Sequence, residues 1–134
     1  MHNFTAAATD LAGNKGALSH VAILGTTGND KIAGVAGGDV IVGNGGNDNF
    51  TAGAGNDTFI FNPHFGNDKV STFDVNHDVL AFDHTLSANV AAILSHTHDV
   101  VGNAVITFDS HDTVTLLGIT TAQLSAHQND FHII

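Results

Sequence analysis

The stretch that decides the fold runs from Gly25 to Ile60 and reads GTTGNDKIA GVAGGDVIV GNGGNDNFT AGAGNDTFI. Divided into units of nine residues, it repeats four times without a slip in register. Each unit has an aspartate at the same position, and these are Asp30, Asp39, Asp48 and Asp57. A glycine lies two residues before each aspartate, at Gly28, Gly37, Gly46 and Gly55. A large apolar residue lies two residues after it, at Ile32, Ile41, Phe50 and Phe59. A fixed period indicates a repeat architecture, whereas a flexible Gly/Asn linker would need no fixed apolar position.

Local rules predict the shape of each unit. Its glycine-rich six residues supply the positive φ angles of a tight turn, and the apolar residue with its β-forming neighbours makes a three-residue strand. Successive strands lie on opposite sides of a flattened spiral, so each pairs with the strand two repeats away. Ile32 should therefore stack on Phe50 and Ile41 on Phe59. The sequence predicts an all-β protein built on a parallel β-roll, a solenoid of the β-helix type.

The same spiral brings like charges together. Asp30 and Asp48 should lie on adjacent turns at one edge, and Asp39 and Asp57 at the other. Two carboxylates about 5 Å apart repel by about 3 kcal/mol at an effective dielectric near 20. A hard cation removes this cost, because Ca²⁺ accepts six to eight oxygens from carboxylates and turn carbonyls. The repeat therefore predicts calcium binding.

Composition excludes several functions. The acidic residues number 13 and all are aspartate, against three lysines and no arginine, for a formal net charge of −10. Such a charge disfavours nucleic acids and anionic membranes as partners and favours cations. Without glutamate or cysteine there is no HExxH motif and no thiolate metal site, and no GxSxG motif occurs, so no catalytic activity is expected. No apolar run is long enough for a membrane span, and the N-terminus lacks the pattern of a secretory signal.

The nine-residue unit resembles the G-G-x-G-x-D-x-U-x repeat of repeats-in-toxin (RTX) proteins. The resemblance implies a β-roll whose turns bind Ca²⁺ between repeats i and i+2, through aspartate side chains and backbone carbonyls near the glycines. It implies two sites, one of Asp30 with Gly28 and Asp48 with Gly43 and Gly46, the other of Asp39 with Gly37 and Asp57 with Gly53 and Gly55. The second glycine of the family pattern is replaced in the first three copies by Thr26, Val35 and Asn44.

Beyond the four copies the period changes. Gly66-Asn67-Asp68 repeats the unit after eleven residues, so Asp68 is a candidate for a third site facing Asp48. Asp74 and Asp78 are candidates for a terminal site. We assign the roll to residues 24–73. Five more aspartates, Asp83, Asp99, Asp109, Asp112 and Asp130, are predicted to be turn or surface residues, as aspartate is common in turns.

Residues 74–134 are predicted to form a C-terminal cap. Residues 104–108 and 113–117 read as a β-hairpin around the turn Asp109–Asp112, and Thr120 with Gln123 fits a capping box before a short helix. His96 and His98 form at most half of a transition-metal site, and the other histidines are expected to be solvated. Phe61, Phe65, Phe73 and Phe82 are expected in the core. Residues 129–134 resemble the C-terminal signal that RTX proteins present to type I secretion machinery.

Residues 4–14 resemble the last strands of bacterial immunoglobulin-like repeats, so residues 1–23 are interpreted as the tail of such a repeat or a linker. The expected function is calcium-dependent folding and type I secretion of a large extracellular or cell-surface, adhesin-like protein, with calcium ions and the secretion machinery as partners and a monomeric state. The alternatives are an accessory roll of a secreted enzyme, such as a protease, lipase or alginate epimerase, and a carbohydrate-binding module. The last lacks tryptophan and tyrosine, the usual sugar-stacking residues.

Overall fold

The computed structural model describes residues 2–5 and 22–134 of the chain. Most of the regular secondary structure in this part consists of short strands. They are β1 (His2–Thr5), β2 (Ala22–Leu24), β3 (Asp30–Ala33), β4 (Val40–Val42), β5 (Asn49–Thr51), β6 (Thr58–Phe61), β7 (Asn67–Ser71), β8 (Val79–Phe82), β9 (Thr97–Val100), β10 (Asn103–Thr107), β11 (Thr113–Leu116) and β12 (Phe131–Ile133). The helical elements are α1 (Val90–Ser95), α2 (Thr121–Ala126) and a 3₁₀ turn (Gln128–Asp130).

The strands of the repeats pair in parallel with those two repeats away. β3 pairs with β5 and places Ile32 opposite Phe50. β4 pairs with β6 and places Ile41 opposite Phe59. The predicted all-β fold with a parallel β-roll is therefore confirmed.

Two sheets result, and both extend past the nonapeptide block. Within the described residues, one sheet has the order β1-β3-β5-β7-β11-β10-β9 and the other the order β12-β8-β6-β4-β2. The first sheet thus begins with a strand from the segment predicted to belong to an immunoglobulin-like tail. Residues 6–21, which carry most of that resemblance, lie outside the described part. The tail itself stays a prediction.

The core lies between the two sheets. Ile32, Ile41 and their partners Phe50 and Phe59 are buried, as the inward position of each strand requires. The four phenylalanines after the repeats, which were predicted to be core residues, are buried as well: Phe61, Phe65, Phe73 and Phe82. Phe61 and Phe82 stack with ring centroids 5.1 Å apart. The aromatic cluster carries the core of the repeats into the C-terminal region.

Close backbone stacking explains the glycines of the turns. Gly46 has a φ of +103°, and a Cβ placed on it would lie 2.5 Å from the carbonyl oxygen of Gly28. Gly55 has a φ of +127° and would crowd the carbonyl of Gly37 in the same way. Any side chain at these positions would push adjacent turns apart. Glycine is therefore required both for its conformation and for the space it leaves.

The C-terminal region builds on the ends of both sheets. β10 and β11 pair antiparallel at the predicted positions, with Asp109 in the turn, and β11 also pairs in parallel with β7. α2 begins with the predicted capping box, because Thr120 and Gln123 each bond the other's backbone N–H. β12 pairs in parallel with β8 in the second sheet. The last described strand is thus part of the same sheet as the repeats.

Substituting Gly46 by alanine separates turn crowding from backbone conformation. Gly102 is the matched control, since its φ is +80° but nothing lies within 4 Å of an added Cβ. Both variants should lose about 1–2 kcal/mol from the left-handed conformation, and G46A should lose about 1–3 kcal/mol more from overpacking. Urea unfolding followed by circular dichroism measures the difference. Equal losses would show that turn stacking tolerates a methyl group.

Candidate metal sites at the turn edges

The aspartates of alternate repeats stack in a ladder at one edge of the roll. The backbone N–H of Asp30 donates to Oδ1 of Asp48 at 2.8 Å, and that of Asp48 donates to Oδ1 of Asp68 at 2.8 Å. All three side chains are buried. Asp68 thus lies against Asp48, as its sequence position predicts. It does so although it follows Asp57, the aspartate of the last repeat, by eleven residues and not by nine.

A second ladder runs along the opposite edge. The N–H of Asp39 donates to Oδ1 of Asp57 at 3.0 Å, and that of Asp57 donates to Oδ1 of Asp78 at 3.0 Å. Asp78 therefore continues the line of Asp39 and Asp57. Asp74 lies outside this line, since its carboxylate is half exposed and contacts His77 at 2.8 Å. The structure brings Asp78, and not Asp74, into the stack.

The other carboxylate oxygen points back into the residue's own turn. Oδ2 of Asp30 accepts from the N–H of Thr26, and Oδ2 of Asp39 accepts from that of Val35 at 2.6 Å. Within the described residues, however, one buried oxygen has no hydrogen-bond partner in each of four ladder aspartates: Oδ1 of Asp39 and Oδ2 of Asp48, Asp57 and Asp68. Leaving such an oxygen unpaired is costly. These oxygens are suited to a hard cation, which takes carboxylate ligands.

The predicted glycines lie beside these carboxylates. The Cα of Gly43 faces Oδ2 of Asp48 closely enough that no Cβ would fit, and Gly53 is similarly crowded by the backbone of Val35. Gly28 and Gly37 lie beneath Gly46 and Gly55, as described above. At the position of the family's second glycine, Asn44 adopts a φ of +67°. Glycine at these positions therefore lets neighbouring turns stack closely.

A ladder of asparagines runs beside the first aspartate ladder. It was not predicted from the sequence. Oδ1 of Asn29 accepts from the N–H of Asn47 at 2.7 Å, and Oδ1 of Asn47 accepts from the N–H of Asn67 at 3.0 Å. Each asparagine directly precedes a ladder aspartate. The recurring Asn-Asp pair was the available signal. The amide ladder holds successive turns in register without adding charge.

Burial raises the pKa of four ladder carboxyl groups. It raises the pKa of Asp48 to about 6 and that of Asp68 to about 8, with backbone N–H groups opposing the shift and neighbouring carboxylates adding to it. The pKa values of Asp57 and Asp78 are raised, again chiefly by burial. Burial therefore makes the charged form of these four groups less favourable than it is in water.

Two of the five aspartates predicted to be turn or surface residues accept local hydrogen bonds, Asp83 from Thr85 and Asp109 from the N–H groups of His111 and Asp112. These bonds lower the pKa of Asp109. Asp99 is exposed and accepts instead from the N–H and hydroxyl of Thr121, the first residue of α2. The prediction is wrong for Asp112, which is buried and accepts from the N–H groups of His64 and Gly66. These donors lie more than 40 residues away along the chain, so the sequence around Asp112 could not predict the contact.

Asp130 is also not a simple surface residue. Burial raises its pKa, and its Oδ2 is buried without a hydrogen-bond partner among the described residues.

His96 and His98 belong to no cluster of three histidine or aspartate side chains able to hold a metal; residues 2–5 and 22–134 contain none. A cation at the aspartate ladders would therefore need backbone ligands as well.

Comparison with known proteins identifies the repeats. Residues 24–59 match the family model of the RTX calcium-binding nonapeptide repeat, in four copies. The chain thus carries a block of RTX repeats. No curated protein sequence matches the chain. In the described part of the chain, no helix has both the length and the apolarity needed to span a bilayer.

A similar solved structure is that of the extracellular lipase LipA from Serratia marcescens. The TM-score is 0.72 and the sequence identity 27%, over 89% of this chain. The matched part is only 20% of the lipase chain. The present chain thus corresponds to a small part of that enzyme.

The raised pKa values predict how the cation-free protein responds to pH. Asp48 and Asp68 have folded-state pKa values of about 6 and about 8, above the value of about 3.9 for an aspartate in water. Between about pH 4 and about pH 8 the folded state therefore binds more protons than the unfolded state. Their contribution to stability is complete below about pH 4 and is lost as the pH rises through 6 and 8. The melting temperature in EDTA should therefore fall as the pH rises from 5 toward 8, until the metal-free roll no longer folds without calcium.

Thermal unfolding followed by circular dichroism tests this expectation. The variant Asp68→Asn is the control, since its neutral amide resembles a protonated carboxyl group. It should remove most of the decrease between pH 6.5 and pH 8. A melting temperature that rises over this range in the unmodified protein would contradict the assignment.

Proposed function

We propose that the chain is a calcium-binding module that folds when it binds extracellular Ca²⁺. The observation that carries the proposal is the presence of buried, unpaired carboxylate oxygens in stacked aspartates of RTX repeats. Asp30 with Asp48 would hold one ion and Asp39 with Asp57 a second, while Asp68 with Asp48 would form a third site. Carbonyl ligands would come from the turns at Gly28, Gly37, Gly43, Gly46, Gly53 and Gly55.

Bound calcium would supply positive charge where the fold concentrates negative charge. Two ions would change the formal net charge of −10 by +4, to −6. The two carboxylates of each pair would then attract a common ion and not only repel each other. The chain's own residues position these oxygens, through the N–H bonds that join successive aspartates.

The expected affinity suits a switch between compartments. Extracellular calcium modules commonly bind with dissociation constants of about 10⁻⁴ to 10⁻³ M. At a hundredfold excess of calcium over the dissociation constant, one site contributes about 2.7 kcal/mol to stability. In a cytosol with little calcium, repulsion between the ladder aspartates would keep the roll unfolded. Outside the cell, calcium would fold it.

A calcium titration followed by circular dichroism tests this function. Starting in EDTA at pH 7.5, the β-sheet signal should increase strongly with CaCl₂ and little with MgCl₂, since Mg²⁺ is smaller and gives up its water reluctantly. Identical spectra in EDTA and in millimolar calcium would exclude calcium-dependent folding.

Two variants show whether the ladder aspartates are responsible. Asp39→Ala removes a buried carboxylate with an unpaired oxygen. Asp99→Ala removes an exposed one of the same charge. The first should raise the calcium concentration at the midpoint at least tenfold, which corresponds to about 1.4 kcal/mol, and the second less than twofold. Equal shifts would show that total charge, and not these sites, governs folding.

We also propose that residues 129–134 direct export by a type I system. Support comes from the resemblance of Asn-Asp-Phe-His-Ile-Ile to the C-terminal signals of RTX proteins. These residues include β12, which pairs with β8. The signal would therefore be available only while the chain is unfolded, before calcium is met. Export would therefore require that the chain stay unfolded in the cytosol.

Deleting residues 129–134 tests the export proposal. In cells that express a type I exporter of RTX proteins, the intact chain should accumulate in the medium and the truncated chain in the cytosol. Asp99→Ala, which leaves the terminus intact, is the control for expression. Export of the truncated chain at the level of the intact chain would refute a signal at this position.

Two kinds of parent protein are compatible with this module. An adhesin-like surface protein is suggested by the resemblance of residues 4–14 to immunoglobulin-like repeats. Residues 1–23 would then be the tail of such a repeat, 24–73 the roll and 74–134 the cap with the secretion signal, and the chain would be a monomer. A secreted enzyme is favoured by the similarity to an extracellular lipase. The coding sequence upstream of residue 1 discriminates between them. A hydrolase domain there would exclude the adhesin, and tandem immunoglobulin-like repeats would exclude the enzyme.

A further inference from the structure

Asp112 is held rigidly at the junction between the C-terminal hairpin and the roll. It directly precedes β11, and its own N–H donates to Oδ1 of Asp109 at 2.8 Å. Its carbonyl accepts from the N–H of Phe108 at 3.0 Å. Only 4% of the residue is exposed. The hairpin turn therefore holds the backbone of Asp112, and its carboxylate is free to contact the roll.

This carboxylate occupies the place that three of the six ladder aspartates take in their own turns. Oδ2 of Asp30, Asp39 and Asp78 accepts in each case from the N–H of the residue four positions earlier, whereas Oδ2 of Asp48 and Asp57 has no partner among the described residues. For Asp68 that residue is His64. The N–H of His64 instead donates to Oδ2 of Asp112 at 3.1 Å, and the N–H of Gly66 donates to Oδ1 of Asp112 at 3.0 Å.

Asp68, which faces this turn as well, has an unpaired oxygen. Its Oδ2 has no hydrogen-bond partner among the described residues, and only 1% of the residue is exposed. Both carboxylates thus lie at the same turn. Both oxygens of Asp112 accept hydrogen bonds, whereas one oxygen of Asp68 is unpaired. Burial, Asp48 and Asp112 together raise the pKa of Asp68 to about 8. The adjacent Lys69 is exposed and lies on the other face of β7, where it cannot neutralise them.

We propose that Asp112 and Asp68, with the turn of residues 63–68, form an additional site for Ca²⁺ that fastens the C-terminal hairpin to the last turn of the roll. The inference rests on the proposed calcium-binding function. It differs from the sites between repeats because Asp112 belongs to no repeat. A hard divalent cation fits the site, since its side-chain ligands would be carboxylate oxygens.

The site would make the attachment of the hairpin depend on calcium. β11 pairs with β7 along only four residue pairs, from Thr113 opposite Asn67 to Leu116 opposite Val70. Without a cation, the two carboxylates would weaken this junction by repulsion. With one, the hairpin would be attached to the roll by an ionic contact as well as by strand pairing.

Native mass spectrometry of the full chain in saturating calcium tests the site. Asp112→Asn should bind one calcium ion fewer than the unmodified protein. The control Asp99→Asn removes the same charge from β9 and should bind the same number as the unmodified protein. Hydrogen exchange should show the amides of His64 and Gly66 protected by calcium in the unmodified protein and in Asp99→Asn, but less so in Asp112→Asn.

The outcomes separate this inference from the proposed function. If no variant binds calcium, the proposed function fails as well. If the unmodified protein binds calcium and Asp112→Asn binds the same number, the repeat sites exist and the additional site does not; the two carboxylates would then share a proton. If Asp112→Asn does not fold, crystals of the unmodified protein grown in CaCl₂ decide. An anomalous difference peak between Asp68 and Asp112 supports the site, and peaks at the repeats alone overturn it.

Discussion

The hydrogen bond from each ladder aspartate's N–H to the next aspartate's carboxylate is the interaction on which the rest of the structure depends. It holds neighbouring turns at the spacing that parallel strands require, about 4.8 Å. It also forces carboxylates of the same sign into a buried line, as in Asp30, Asp48 and Asp68. The geometry that closes the turns is therefore the geometry that creates the charge problem. The charge on these carboxylates must therefore be neutralised, by a proton or a cation, without moving the backbone.

Because the core is narrow, the ladder aspartates at the edges of the roll have a large effect on its stability. Each nonapeptide contributes little more than one fully buried apolar side chain, such as Ile32 or Ile41. Most of its other residues form the turns and do not bury apolar surface. In an ordinary domain, a large core could absorb two lines of unfavourable charge. Here the turns contain most of the chain, so what happens to the aspartates decides whether the roll is stable.

Much of the roll could be predicted because its contacts repeat with the sequence. The period of nine was enough to predict the pairing of Ile32 with Phe50 and the approach of Asp39 to Asp57, both of which the structure contains. Asp68 was also predicted, since its Gly-Asn-Asp context repeats that of Asp48. Asp112 could not be, because its carboxylate bonds to His64 and Gly66 through the fold of a separate hairpin. The repeat contacts follow from register, whereas the closure of the roll depends on tertiary packing.

Protons and cations are alternative answers to the same charge problem. Below the raised pKa of a ladder aspartate, a proton neutralises the carboxylate and the turn can close without metal. Above it, the charge remains and the unpaired oxygens need a cation. Calcium and protons should therefore compete for these oxygens, so that apparent calcium affinity increases with pH while metal-free stability decreases. The choice of aspartate over the longer glutamate fits this role, because the oxygens must lie within a six-residue turn. The short side chain places them close to the backbone carbonyls that would share the ion.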